Sequence, residues 1–237
     1  MEIRTYKSKG DLAEAFSLFF KSVVQSDQKT NVALSGGSTP KLIFDYLAAH
    51  FSKEINWNLV NFFWVDERCV PPSDSESNFK MTVDHLLSKL DIPEENIFRI
   101  KGEAEPLEEA NRYAELLQEN LELLNDVPVF DLILLGMGDD GHTASIFPHE
   151  IELWNSDKNC EVAIHPESGQ KRITLTGKVI NNAESVVFLV TGENKASKVR
   201  EVTRKQGDYK NYPAALVNPN TPNLIWFLDQ EAAKELA

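Results

Sequence analysis

His142 closes a heptapeptide, Gly136-Met137-Gly138-Asp139-Asp140-Gly141-His142, that sets two carboxylates and an imidazole among three glycines, with the hydroxyls of Thr143 and Ser145 just beyond. An imidazole titrates near neutral pH, so it can take a proton from water if something holds the ring in place. Asp140 is the candidate for that task, because a nearby carboxylate orients the ring and favours its cationic form in a transition state. The apolar run Leu132-Ile133-Leu134-Leu135 precedes the loop. It is too short for a helix and apolar enough for a strand buried on both faces. Ligands of open α/β sheets bind beyond the carboxyl ends of their strands, which is where this loop falls.

Two other chemistries compete for the same residues. The glycines spell G-x-G-x-x-G after a strand, the spacing of a dinucleotide-binding turn. That reading fails on charge, since Asp139 and Asp140 would face a pyrophosphate, and Pro148 leaves room for a helix of only about two turns. The plainer alternative is a glycine-rich turn with a solvated acidic tip. A base with a carboxylate two residues away fits acid–base catalysis better than either.

If the substrate is an anion, the chain must gather cations locally. Its net charge is −13, which argues against nucleic acid and anionic membrane surfaces as partners. Candidate cations stand at Arg68, in Asp66-Glu67-Arg68 after the run Val60 to Val65, at Arg172, and at Lys195, in Thr191-Gly192-Glu193-Asn194-Lys195 after Val186 to Val190. A strand over 31–34 ends in Ser35-Gly36-Gly37-Ser38-Thr39-Pro40. There a glycine turn feeds a helix start, with Ser38 or Thr39 as the N-cap, and offers free N–H groups to a phosphate. It lacks a P-loop lysine, so an ordinary strand-to-helix turn stays open. Cys69, Cys160, His50, His85, His149 and His165 show no metal-ligand spacing, and no metal or cofactor is expected.

These loops need a scaffold. Hydrophobic residues make up 42% of the 237 positions, enough for a continuous core. Apolar periodicity predicts a helix capped by Asp11, one after Pro40, one capped by Asn78, and an acidic one over 105–124 that buries Leu107, Leu117 and Leu124. Short strands are expected at 97–100, 161–164, 172–175 and 224–228, with a short helix over 176–182, one after Lys195 and one at the C-terminus. Strands alternate with helices and no linker or repeat intervenes. Residues 1–237 thus read as a single α/β domain, one doubly wound, mostly parallel sheet with helices on both faces. No signal-peptide core or membrane-spanning run is visible, and a cytoplasmic location is expected.

Taken together, SGGSTP at 35–40, WVDER at 64–68, GMGDDGHTASIFP at 136–148, RITLTG at 172–177 and VTGENKASKV at 190–199 resemble the 6-phosphogluconolactonase family, whose fold is shared with glucosamine-6-phosphate deaminase. The order and spacing match over essentially the whole chain. The deaminases carry a glutamate after their histidine, whereas here Thr143 to Pro148 offers no acid. The resemblance implies that His142 activates water, with Asp140 beside it. It also implies that Arg68 and Lys195 hold a phosphate with Gly37, Ser38 and Thr39, and that Asp66 contacts sugar hydroxyls. Arg172 is either a further cation at the phosphate or a strand-face arginine paired with an acid. The implied reaction is hydrolysis of a sugar phosphate lactone by a monomer or weak homodimer. A deaminase-like enzyme and a non-catalytic sugar-phosphate sensor are the alternatives.

Overall fold

Apolar runs without alternation can satisfy themselves only by burial on both faces, and here they do so side by side. The computed structural model describes residues 1–236. Its strands are β1 (Glu2–Tyr6), β2 (Thr30–Leu34), β3 (Val60–Trp64), β4 (Asp66–Arg68), β5 (Ile97–Phe98), β6 (Leu123–Leu124), β7 (Val127–Pro128), β8 (Leu132–Leu135), β9 (Cys160–Ile164), β10 (Lys171–Leu175), β11 (Val186–Val190) and β12 (Leu224–Asp229). The helices are α1 (Lys9–Val24), α2 (Ser38–His50), α3 (Asn78–His85), α4 (Pro106–Asn120), α5 (Gly177–Asn181) and α6 (Ala196–Arg204). Seven strands form one sheet in the order β1-β12-β11-β8-β2-β3-β5, and every pairing in it is parallel. All residues of β3, β8, β11 and β12 are buried, while the edge strand β1 exposes Glu2 and Ile3.

The strand order fixes where a ligand can sit. From β2 the chain runs outward through β3 to β5, then returns to β8 on the other side of β2 and runs outward through β11 and β12. The order therefore reverses between β2 and β8, and the crevice beyond their carboxyl ends is the natural site of such a sheet. It receives the two glycine-rich loops, Ser35–Thr39 and Gly136–His142.

Several expectations are corrected. The sheet is not alone: β4, β10 and β9 form a small antiparallel sheet, and β6 and β7 a hairpin. Asp66 to Arg68 is thus a strand paired with Arg172 to Thr174, where a loop was expected. Ser8, not Asp11, caps α1, its hydroxyl accepting from Asp11 N. Gly37, not Ser38 or Thr39, occupies the N-cap of α2. Ser77, not Asn78, caps α3. Helix α4 stops at Asn120, which leaves Leu124 outside it, and Leu124 is exposed, as is Leu107 on the helix's first turn. Past β12 the described residues form turns where a C-terminal helix was expected, and no helix follows Gly141 before Pro148. No helix among the described residues is long and apolar enough to cross a membrane.

Candidate active site

A cavity of 240 Å³ opens at the β2–β8 crevice, and Gly37, Ser38, Thr39, Asp66, Arg68, His142, Arg172 and Lys195 all line it. Of the residues expected to serve catalysis or to hold the phosphate and sugar, only Asp140 is not on its wall, and it reaches the site through His142.

The His142 loop is held by short-range contacts. Gly138 N donates to His142 O at 2.9 Å, Gly141 N donates to Gly138 O at 3.1 Å, and Thr143 Oγ1 donates to Gly136 O at 2.9 Å. A Cβ on Gly138 would lie 2.2 Å from His142 Nδ1, so the ring packs directly on that glycine. Gly141 has φ +86° and faces Tyr212 so closely that a Cβ would meet its ring at 2.6 Å. Asp140 Oδ1 accepts from His142 N at 3.0 Å and lies 2.7 Å from Nδ1. Burial opposes ionisation of Asp140, but the hydrogen bond and charge of His142 outweigh it and hold its pKa at about 2. An ionised carboxylate only accepts, so the proton of the contact sits on Nδ1, and in the neutral ring that tautomer leaves the lone pair on Nε2. Phe147 packs against the ring at 4.7 Å between centroids.

The cations arrive from three elements. Arg68 and Arg172 stand directly opposite each other in the β4–β10 ladder. Like charges so placed destabilise a strand pair, and burial together with Arg68 pushes the Arg172 pKa down. The Nε atoms of both arginines are buried without a hydrogen-bond partner. Arg68 Nη1 donates to Glu76 O, and Arg172 lies 5.5 Å from the centre of the Phe147 ring. Lys195, beyond β11, donates from Nζ to Asp139. Ser38 and Thr39 open α2, where backbone N–H groups have no intrahelical acceptor.

Two neighbouring carboxylates do different work. Asp66 is buried on the cavity wall, accepting from Ser145 Oγ at 2.6 Å and from Asn78 Nδ2 at 3.3 Å. Glu67 points away from the cavity into the start of α3. It accepts from Arg68 N, Ser77 Oγ, Asn78 N and Phe79 N at 2.7–2.9 Å. Burial raises its pKa against those four hydrogen bonds. Residues not singled out beforehand also shape the site. Asn78 and Thr191 line the cavity, and Thr191 Oγ1 meets Thr39 Oγ1 at 2.9 Å. Asp229, on β12, accepts from Gly192 N at 3.0 Å and anchors the turn that carries Lys195. Thr191 could have been found as a hydroxyl at a strand end, whereas nothing local marks Asp229.

The remaining histidines and cysteines lie elsewhere or serve packing. His85 meets Asp45 at 3.0 Å, His50 stacks on Tyr46, and His165 sits edge-on to Phe147. Both cysteines are free, and burial pushes the Cys69 thiol up to about 11. Among the described residues no group of three or more His, Cys, Asp or Glu side chains converges as metal ligands would.

Comparison with known proteins points one way. The family model for glucosamine-6-phosphate isomerases/6-phosphogluconolactonase matches residues 7–226. A 6-phosphogluconolactonase of Treponema pallidum (strain Nichols) is 48% identical over 194 residues, covering 80% of each chain. The solved 6-phosphogluconolactonase of Trypanosoma brucei superposes with a TM-score of 0.90 at 29% identity, covering 100% of this chain and 98% of that one. A monomeric glucosamine-6-phosphate deaminase shares the fold with a TM-score of 0.84 at 20% identity, over 99% of this chain and 100% of that one.

Proposed function

The chain belongs to the glucosamine-6-phosphate isomerase/6-phosphogluconolactonase family, and we propose that it hydrolyses 6-phosphogluconolactone, with His142 as general base. This is a carboxylic ester hydrolysis, the lactone-opening step of the oxidative pentose phosphate pathway. The observation that carries the reading is the pairing of an Asp140-oriented imidazole with two opposed arginines across one cavity. The arginines' repulsion is relieved by an anion, and the imidazole is placed for a proton transfer.

His142 Nε2 takes a proton from water as the water oxygen attacks the lactone carbonyl carbon. Asp140 stabilises the imidazolium that forms. Collapse of the tetrahedral intermediate breaks the bond to the ring oxygen, which takes the proton back from His142, and the product is 6-phosphogluconate. Arg68, Arg172 and Lys195 hold the phosphate against the first N–H groups of α2, with Gly37, Ser38 and Thr39 completing the cradle. Asp66 keeps acceptor capacity for a sugar hydroxyl while its charge offsets the arginines. No electron is transferred, so the step itself calls for no redox cofactor.

Incubation with 6-phosphogluconolactone, with spontaneous hydrolysis subtracted, tests the reading. Turnover above the enzyme-free rate is expected. Ammonia release from glucosamine 6-phosphate without lactone hydrolysis would replace it with a deaminase.

A further inference from the structure

Asp140 and Asp139 are neighbours with opposite allegiances. Asp140 belongs to His142, while Asp139 reaches across the mouth of the cavity. Its Oδ1 accepts from Lys195 Nζ and from Asn194 Nδ2 at 2.8 Å, which joins the loop after β8 to the loop after β11. Its side chain is 68% exposed and that of Lys195 19%. An exposed ion pair contributes little to folding, so stability gives little reason for this contact. Its consequence for binding is larger, because a carboxylate in contact with Lys195 fills one of the ammonium's donors and cancels its charge.

We propose that Asp139 is a built-in competitor of the substrate phosphate for Lys195, and that it sets how tightly the site holds both substrate and product. The inference rests on the assignment of Lys195 to the phosphate. Lys195 exchanges one anion for another when the ligand enters, and Asn194 remains as a partner for the displaced carboxylate. The exchange matters for turnover because the phosphate is untouched by the reaction. Every contact to it binds 6-phosphogluconolactone and 6-phosphogluconate alike, so it lowers KM and retains the product by the same factor without accelerating the chemistry. An internal competitor at the mouth of the site loosens both equally.

The test is direct binding of inorganic phosphate and of 6-phosphogluconate to the wild type, Asp139→Asn, Lys195→Ala and the double variant, measured by titration calorimetry. Asp139→Asn is expected to tighten both ligands by about two- to fivefold, the scale of an exposed ion pair, with the gain shrinking as salt is added. In the Lys195→Ala background the same substitution is expected to change neither. Unchanged or weaker binding in Asp139→Asn would overturn the proposal, and so would an equal gain with Lys195 absent. Inorganic phosphate needs no turnover. A wild type that binds phosphate yet hydrolyses no lactone would therefore refute the functional reading and leave the competition measurable.

Discussion

The two sides of the cavity are built on opposite terms. On the β8 side, His142 is finished: its ring is packed by Gly138 and Phe147, its Nδ1 is bonded to Asp140, and the loop closes on itself. On the cation side, Arg68 and Arg172 face each other in one ladder with buried Nε atoms unpaired, and Lys195 is paired with Asp139. On the proposed function, the difference separates chemistry from binding. Proton transfer demands a preset geometry and gains from a ring that needs no rearrangement. Binding a strongly charged ligand gains from unspent cations, whose repulsion the ligand relieves.

The largest expected effect breaks the finished side. His142→Ala should lower kcat on the phosphorylated lactone by roughly 10²–10⁴, with KM little changed. Steady-state kinetics corrected for spontaneous hydrolysis check this. Next is Gly138→Ala, whose methyl would collide with the imidazole and with Asp140 Oδ1, 2.7 Å from the added carbon. Displacing a catalytic group by about 1 Å can cost roughly 10²-fold, so kcat should fall by about that factor while the circular dichroism of the fold is retained.

Substitutions on the cation side should cut the other way. Arg172→Ala, Arg68→Ala and Lys195→Ala should each weaken kcat/KM for the phosphorylated lactone by roughly 1.5–3 kcal/mol, the scale of a charge-assisted hydrogen bond. Unphosphorylated gluconolactone should lose far less. Parallel assays on the two substrates decide, and equal losses on both would make these cations structural.

The smallest effect concerns acid. Asp140 titrates at about 2 in the folded chain, below the ordinary carboxylate value near 3.9. A depressed carboxylate contributes stability above its unfolded pKa and loses it as pH falls through the folded one. Its side chain is 41% exposed, which limits that contribution to less than about 1 kcal/mol. Urea midpoints of the wild type should therefore lie slightly above those of Asp140→Asn at pH 5–7, and the gap should close towards pH 2.

The finished side was also the more legible one in the sequence. His142, Asp140 and the glycines are consecutive, so their chemistry is local and can be read from spacing. The parallel strands were legible for the same reason, since Leu132 to Leu135 and Val186 to Val190 have no polar position to expose. The cation side depends on chain segments a hundred residues apart. Arg68 faces Arg172 only because β4 pairs with β10, and a strand of three charged or polar residues carries no apolar pattern to announce it. Asp229 is invisible for the same reason, since only the pairing of β12 with β11 brings it to the turn after Val190. The caps were misplaced by one to three positions because adjacent polar residues all qualify, and backbone angles choose among them. Helix α4 was overextended because Leu121 and Leu124 continue its spacing. Asn125 and Asp126, at φ +54° and +61°, instead turn the chain into the β6–β7 hairpin.

The most direct test of this division of labour is kcat and KM for the wild type, His142→Ala and Arg172→Ala on both 6-phosphogluconolactone and gluconolactone, each corrected for the enzyme-free rate. The expected result is a loss of kcat in His142→Ala by the same factor on both lactones, with the Arg172→Ala loss confined to the phosphorylated one. A His142→Ala enzyme that keeps more than half of the wild-type kcat, or loses activity only on the phosphorylated lactone, would contradict it.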